Sequence, residues 1–132
     1  MIGKLFNKGL FDDLDELIKL LRDKFGNNFY LEIQRHEDQN EKQFELFNLK
    51  LSKKYQIPII ATNEVFYLDK EMHEAHDALI CIGNKTYVNE KNRLRLTEQH
   101  YLKTNLEMSK LFEDLPEALE NNYNFPLRCN YR

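Results

Sequence analysis

Hydrophobic positions along the chain follow two periods. From Leu14 onward, Leu14, Leu17, Ile18, Leu21 and Phe25 recur every three or four residues. That spacing places them on one stripe of an α-helix. Asp12 stands where an N-cap would, and Gly26 where a helix stops. The period then drops to two. In FYLEIQ, residues 29–34, Phe29, Leu31 and Ile33 share one face, and Tyr30, Glu32 and Gln34 the other, as in a β-strand. A second helical stripe of Phe44, Phe47, Leu51 and Tyr55 spans about residues 40–55. IPIIA, residues 57–61, is short, apolar and β-branched, which predicts a buried strand with Pro58 near its start.

Strand, helix and strand with short joints make the βαβ unit of a parallel sheet, so the expected fold class is α/β. Functional groups in such sheets gather at the carboxyl ends of strands. Here those ends are Gln34-Arg35-His36 and Thr62-Asn63-Glu64. A third helix is expected from Asp69, with Met72, Ala75, His76, Leu79 and Ile80 facing inward. GNKTYVNEKNRLRL, residues 83–96, reads as a loop or extended arm. Thr104 and Glu107 form a capping box ahead of a helix that buries Met108, Leu111 and Phe112. Asp114 and Glu117 repeat that signature with Pro116 in the first turn, so the C-terminal segment is expected to be helical.

Composition mainly excludes. The 132 residues, 42% of them hydrophobic, suffice for one cored domain. A net charge of −3 provides no global positive field to draw the chain to nucleic acid. No apolar run nears the roughly 18 residues of a membrane span, so no membrane partner is expected. MIGKLFNKGLFDD lacks the secretory pattern. Cys81 and Cys129 are far apart and read as free thiols in a reducing compartment, with a cytoplasmic location as the expectation.

The candidate chemistry is sparse. His73 and His76, three apart on a helix, can reach one ion, but His76 falls on the apolar stripe and is read as a core histidine bonded to a backbone carbonyl. His36 follows a strand and is a candidate ligand or phosphate contact. Glu32 is read as a structural partner of Arg35 or a lysine. Lys85, Lys91, Arg93 and Arg95 flank Tyr87 in the arm, a pattern that suits a phosphate backbone, although Glu90 interrupts it as in a solvated loop. Cys81 lies in an apolar run and reads as core. A glycine-rich phosphate loop, a nucleophile elbow and a paired-cysteine zinc pattern are all absent from the sequence.

The words FYLEIQRH, IPIIATNEVFYL, EAHDALICIGNKT, NRLRL, YLKT, MSKLFEDLPEALENN and RCN follow in one order. Together they resemble the bacterial DNA polymerase III alpha subunits, over about Ile2 to Asn130. The resemblance falls in the later part of the amino-terminal polymerase-and-histidinol-phosphatase (PHP) domain and the segment leading out of it. It implies a partial PHP-type β/α barrel with parallel strands over residues 1–82, then an extended arm and helices over 83–132. It further implies a fragment of a cytoplasmic replicase that copies DNA. The implied partners are the rest of the alpha subunit and other replicase subunits, with DNA contacted through the full-length enzyme. In some members of the family the barrel binds divalent metals (magnesium, zinc or manganese) and acts as a 3′–5′ exonuclease. In others it is a structural platform.

In metal-binding members the second strand end reads Asn-Asp-x-His. The matching residues here are Asn63, Glu64 and Phe66, and Phe66 has no ligand atom. The family's earlier ligands would precede Met1. Glu64 and His36 remain the weak metal candidates, and the chain itself is expected to hold no cofactor and no catalytic residue. His76 and Asp77 match the family's AHD word and are read as packing of helix on barrel. Pro126 is expected to interrupt the last helix. The alternative is a free-standing metal-dependent phosphoesterase or 3′–5′ exonuclease using His36, Glu64, His73 and His76. A half-barrel would also leave strand edges unpaired and expose Leu31, Ile33, Ile59 and Ile60, so a marginal or self-associating chain is expected.

Overall fold

The computed structural model describes residues 2–129, which fall into two compact units, each discontinuous in sequence. The first draws the described residues of Met1–Ile33, Lys42–Thr62 and Phe112–Arg132; the second draws Gln34–Glu41 and Asn63–Leu111.

In the first unit, α1 (Ile2–Asn7) precedes α2 (Phe11–Phe25), β1 (Leu31–Ile33), α3 (Glu41–Tyr55), β2 (Ile59–Ala61) and α6 (Pro116–Leu127). The two strands pair in parallel, with Leu31 opposite Ile59 and Ile33 opposite Ala61. The α/β class and the parallel pairing follow the alternation read from the sequence. The strands are three residues long, shorter than the apolar runs that announced them. Sequence periodicity marks which residues are apolar, whereas strand length is set by how many backbone groups find a partner. α1 was not foreseen. It carries Phe6, which packs against Phe11, Phe44 and Phe47 with ring centroids 4.9–6.1 Å apart.

The expectation that Leu31, Ile33, Ile59 and Ile60 are left uncovered is corrected. Leu31, Ile33 and Ile59 are at most 2% exposed and share a core with Leu14, Ile18, Leu51 and Ala118; Ile60 is half-buried. α6 packs directly on β2. The strand edges are also occupied. On the free side of β1, Asn48 donates to the Glu32 carbonyl at 3.1 Å. On the free side of β2, Asn121 donates to the Ile59 carbonyl at 2.8 Å and Asn122 to that of Ala61. Side-chain amides from two helices thus satisfy carbonyls that further strands would otherwise bind.

Helix ends depart from the sequence reading in three places. α2 begins at Phe11 with Leu10 before it and no side-chain cap, so Asp12 and Asp13 lie inside the first turn, where their charge suits the helix dipole. α6 likewise starts after Leu115 without a side-chain cap, so the N-cap is Leu115 and not Asp114. Pro116 does open the helix, while Pro126 is carried within its last turn and does not interrupt it. A proline so near a helix end removes one bond, after which the chain leaves the helix in any case. Gly26 closes α2 with φ of 52°, a left-handed value that glycine adopts without strain.

In the second unit, a 3₁₀ turn at Lys70–Met72 leads into α4 (His73–Asn84), and a long connection runs to α5 (Asn105–Leu111). The inward face of α4 is corrected: His73, Asp77 and Cys81 are buried, whereas Met72, Ala75 and Leu79 are exposed and His76 and Ile80 are only half-buried. The true stripe is spaced four by four and is largely polar, so hydrophobicity pointed to the wrong side. Its polar members are satisfied: His73 Nε2 bonds the Leu96 carbonyl at 2.9 Å, and Arg93 grips Asp77 through two bonds of 2.6 and 2.7 Å. The capping box holds as read, with Thr104 N–H donating to Glu107 Oε2 at 2.8 Å and Glu107 N–H to Thr104 Oγ1 at 3.3 Å.

Candidate functional site

The densest polar cluster of the second unit is built from three segments. Residues 34–41 leave β1 through left-handed backbone at Glu37 and Asn40, with φ of 63° and 68°. Glu41 anchors this turn, accepting the His36 N–H at 2.6 Å and the Glu37 N–H at 2.9 Å. The Asn63–Glu64 segment continues from β2. The third segment, residues 97–103, contributes Thr97, whose hydroxyl donates to the His36 carbonyl, and His100. His36 and His100 are each 1% exposed. Their rings stack at 4.1 Å with an interplanar angle of 4°.

The backbone of one residue, Glu64, holds both rings. Glu64 N–H lies 3.2 Å from His36 Nε2, and His100 Nδ1 lies 3.2 Å from the Glu64 carbonyl oxygen. Asn63 Oδ1 is also 3.2 Å from His36 Nε2. Its amide is held in that orientation by Nδ2 donating to the Tyr101 carbonyl at 2.8 Å and by Lys103 Nζ at 3.2 Å from Oδ1. The remaining ring nitrogens face carboxylates: His36 Nδ1 is 3.4 Å from Glu41 Oε1, and His100 Nε2 is 3.4 Å from Asp38 Oδ2. His100 Nε2 is buried and makes no hydrogen bond. Burial pushes the Glu41 carboxyl up, but the His36 ring and the His36 and Glu37 N–H groups outweigh it and hold the net value below the ordinary one. Burial also lowers the Lys103 ammonium.

Among the described residues, His36, Asp38 and His100 each offer one ligand atom within 4.8 Å of the others. Sequence reasoning singled out His36 and missed Asp38 and His100. His100 lies outside every periodic or motif signal, and only the fold brings it to His36. No such group contains Glu64, His73 or His76. Glu64 is exposed and serves the cluster through its peptide. His76 sits between the Phe66 and Tyr67 rings, with centroids 5.6 and 5.4 Å away. Phe66, 46% exposed, packs on His76 and His100 and offers no donor atom. The donor set at Asn63, Glu64 and Phe66 therefore does not fit the multinuclear metal cluster of metal-binding PHP domains.

The basic candidates of the arm are dispersed. The Arg93 side chain is 5% exposed and turned onto Asp77. Lys85 occupies the left-handed position closing α4 with φ of 55°. Lys91 and Arg95 are exposed. Two words of the sequence, AHD and NRLRL, thus meet in one ion pair.

Fold and site together define an α/β protein with a short parallel sheet in one unit and a buried pair of stacked histidines in the other. No protein-family model matches the chain. By sequence it is a homologue of a segment of the bacterial DNA polymerase III alpha subunit. It is 37% identical to that subunit of Rickettsia bellii over 131 residues, 99% of this chain and 11% of the relative. It is 33% identical to that of Caulobacter vibrioides and 36% to that of Pseudomonas aeruginosa, in each case over 98% of this chain and 11% of the relative. The chain therefore spans about a tenth of the length of these relatives. No helix among the described residues is long and apolar enough to cross a membrane.

Proposed function

We propose that this chain is a structural segment of a replicative DNA polymerase alpha subunit, working in the cytoplasm within DNA-directed DNA synthesis. The observation that carries this is similarity over 98–99% of the chain to proteins named DNA polymerase III subunit alpha. On this reading, residues 1–82 correspond to the later half of a PHP-type β/α domain and 83–132 to the helices leading out of it. On this reading the segment supplies no catalytic residue of its own. Its partners are the rest of the alpha subunit and the replicase, and DNA is met through the whole enzyme.

A segment exchange tests this. The matching stretch of the Rickettsia bellii alpha subunit is replaced by this chain, and primer extension by the purified chimaera is measured. Extension within about tenfold of the parent, a loss of no more than roughly 1.4 kcal/mol of transition-state stabilisation, is expected. A folded chimaera that extends no primer would overturn the reading.

A further inference from the structure

We propose that the exposed apolar stripe of α4 is the docking surface for a second copy of this chain, with the two α4 helices antiparallel about a twofold axis. The inference is independent of the polymerase reading and concerns a face that the histidine cluster does not use.

The stripe lies opposite the face that α4 buries within its own unit. At about 100° per residue, Ala75, Leu79 and Ile82 fall within about 60° of one another on the helix, with His73, Asp77 and Cys81 on the far side. Leu79 and Ile82 are 63% and 75% exposed, and Ala75 is exposed as well. Met72, 44% exposed at the N-cap, extends the line by one turn. Steps of three and four along an exposed helix face are the spacing of a helix–helix seam. A single exposed leucine is ordinary, whereas four apolar residues in register form a continuous strip that is costly to leave in water.

The layout of the strip selects its occupant. Reversing the helix direction maps the strip onto itself: Met72 meets Ile82 of the second copy, and the small Ala75 meets its large Leu79. The flanking charges follow the same symmetry. Glu71 precedes the first turn, and Lys85 sits in the left-handed position that ends α4. Both are exposed, and among the described residues neither side chain has a partner. Antiparallel pairing brings each Glu71 to the Lys85 of the other copy and sets the N-terminal end of one helix dipole beside the C-terminal end of the other. Parallel pairing would set Glu71 against Glu71 and Lys85 against Lys85. Ala78 and Gly83 beside the strip carry little or no side chain, and a Cβ at Gly83 would meet nothing. The two axes can therefore approach to the near end of the usual range of about 8–10 Å. A helix of 12 residues is only about 18 Å long. The contact is thus smaller than the roughly 1,200 Å² at which stable interfaces begin, and the dimer is weak, with a Kd on the order of 100 µM. At low micromolar concentration the chain is a monomer.

Sedimentation equilibrium of the whole chain, from about 5 to about 500 µM, should show a monomer at the low end and passage toward a dimer at the high end. Leu79→Glu, at an exposed position that keeps the fold by circular dichroism, should leave the chain monomeric throughout. Glu71→Lys sets lysine opposite lysine at both ends of the seam and should weaken the dimer by about tenfold. Glu71→Lys combined with Lys85→Glu re-forms both pairs with their signs exchanged and should restore the parental association. Neither a strand-edge contact nor unspecific apolar clustering would give that recovery. A chain that is monomeric at every concentration, as it would be if a different polypeptide covered this face, would overturn the proposal. So would association that Leu79→Glu leaves unchanged, growth beyond a dimer, or a double exchange that associates no better than Glu71→Lys alone.

Discussion

Replacing both Asn121 and Asn122 by alanine should cost this chain much of its stability. Their amides are the groups that occupy the free edge of β2, bonding the carbonyls of Ile59 and Ala61, residues only 2% and 0% exposed. A buried carbonyl left without a partner costs about 1–3 kcal/mol, so the pair should lose roughly 2–6 kcal/mol. Alanine's better helix propensity returns at most about 0.7 kcal/mol per site. Against a typical net stability of about 5–15 kcal/mol the remainder is large. Urea denaturation reads it directly: with a slope of about 1–3 kcal/mol per molar, the midpoint should fall by roughly 1–3 M. Glu120→Ala, an exposed position in the same helix, serves as the control and should leave the midpoint nearly unchanged. Sedimentation of the double variant should also show self-association, because an uncapped edge presents backbone groups to a second chain. A double variant that melts with the parent and stays monomeric would mean that helix α6 covers β2 through packing alone and that the amide bonds are incidental.

Two further outcomes follow from the second unit and from the assigned role. The Arg93 guanidinium beside Asp77 holds the Asp77 carboxyl below its ordinary value, so the pair's contribution is complete above the ordinary carboxylate range and is lost as pH falls through the lowered folded value. Melting temperature followed from neutral pH downward should therefore decline steeply below about pH 4 in the parent and more gently in Asp77→Asn, and parallel acid limbs in the two proteins would contradict this. The purified chain alone should neither extend a primed template nor degrade its 3′ end. Turnover that co-purifies with the chain and vanishes in Glu64→Ala would restore the alternative of a free-standing phosphoesterase.

Local pattern was enough to place β1, α2, α3 and β2 and to pair the strands in parallel, because an apolar period of two or of about three and a half is a property of neighbouring residues. It also placed the Thr104–Glu107 capping box, whose two hydrogen bonds span only three residues. The order of the motifs identified the relatives. What the pattern could not supply was everything that depends on contacts distant in sequence. The buried stripe of α4 is His73, Asp77 and Cys81, since Arg93 and the Leu96 carbonyl lie where they satisfy its polar members, and no hydrophobicity count reveals that. Edge capping by Asn48, Asn121 and Asn122 has no signature in the sequence, because it depends on which strand carbonyls the helices are packed beside. His36 was legible from its place after a strand, but its stacking on His100 and the approach of Asp38 exist only once the turns at 36–41, 63–64 and 97–103 are folded together. Burial and pairing are properties of the tertiary structure, and they decided which of the chain's many polar residues can form a site.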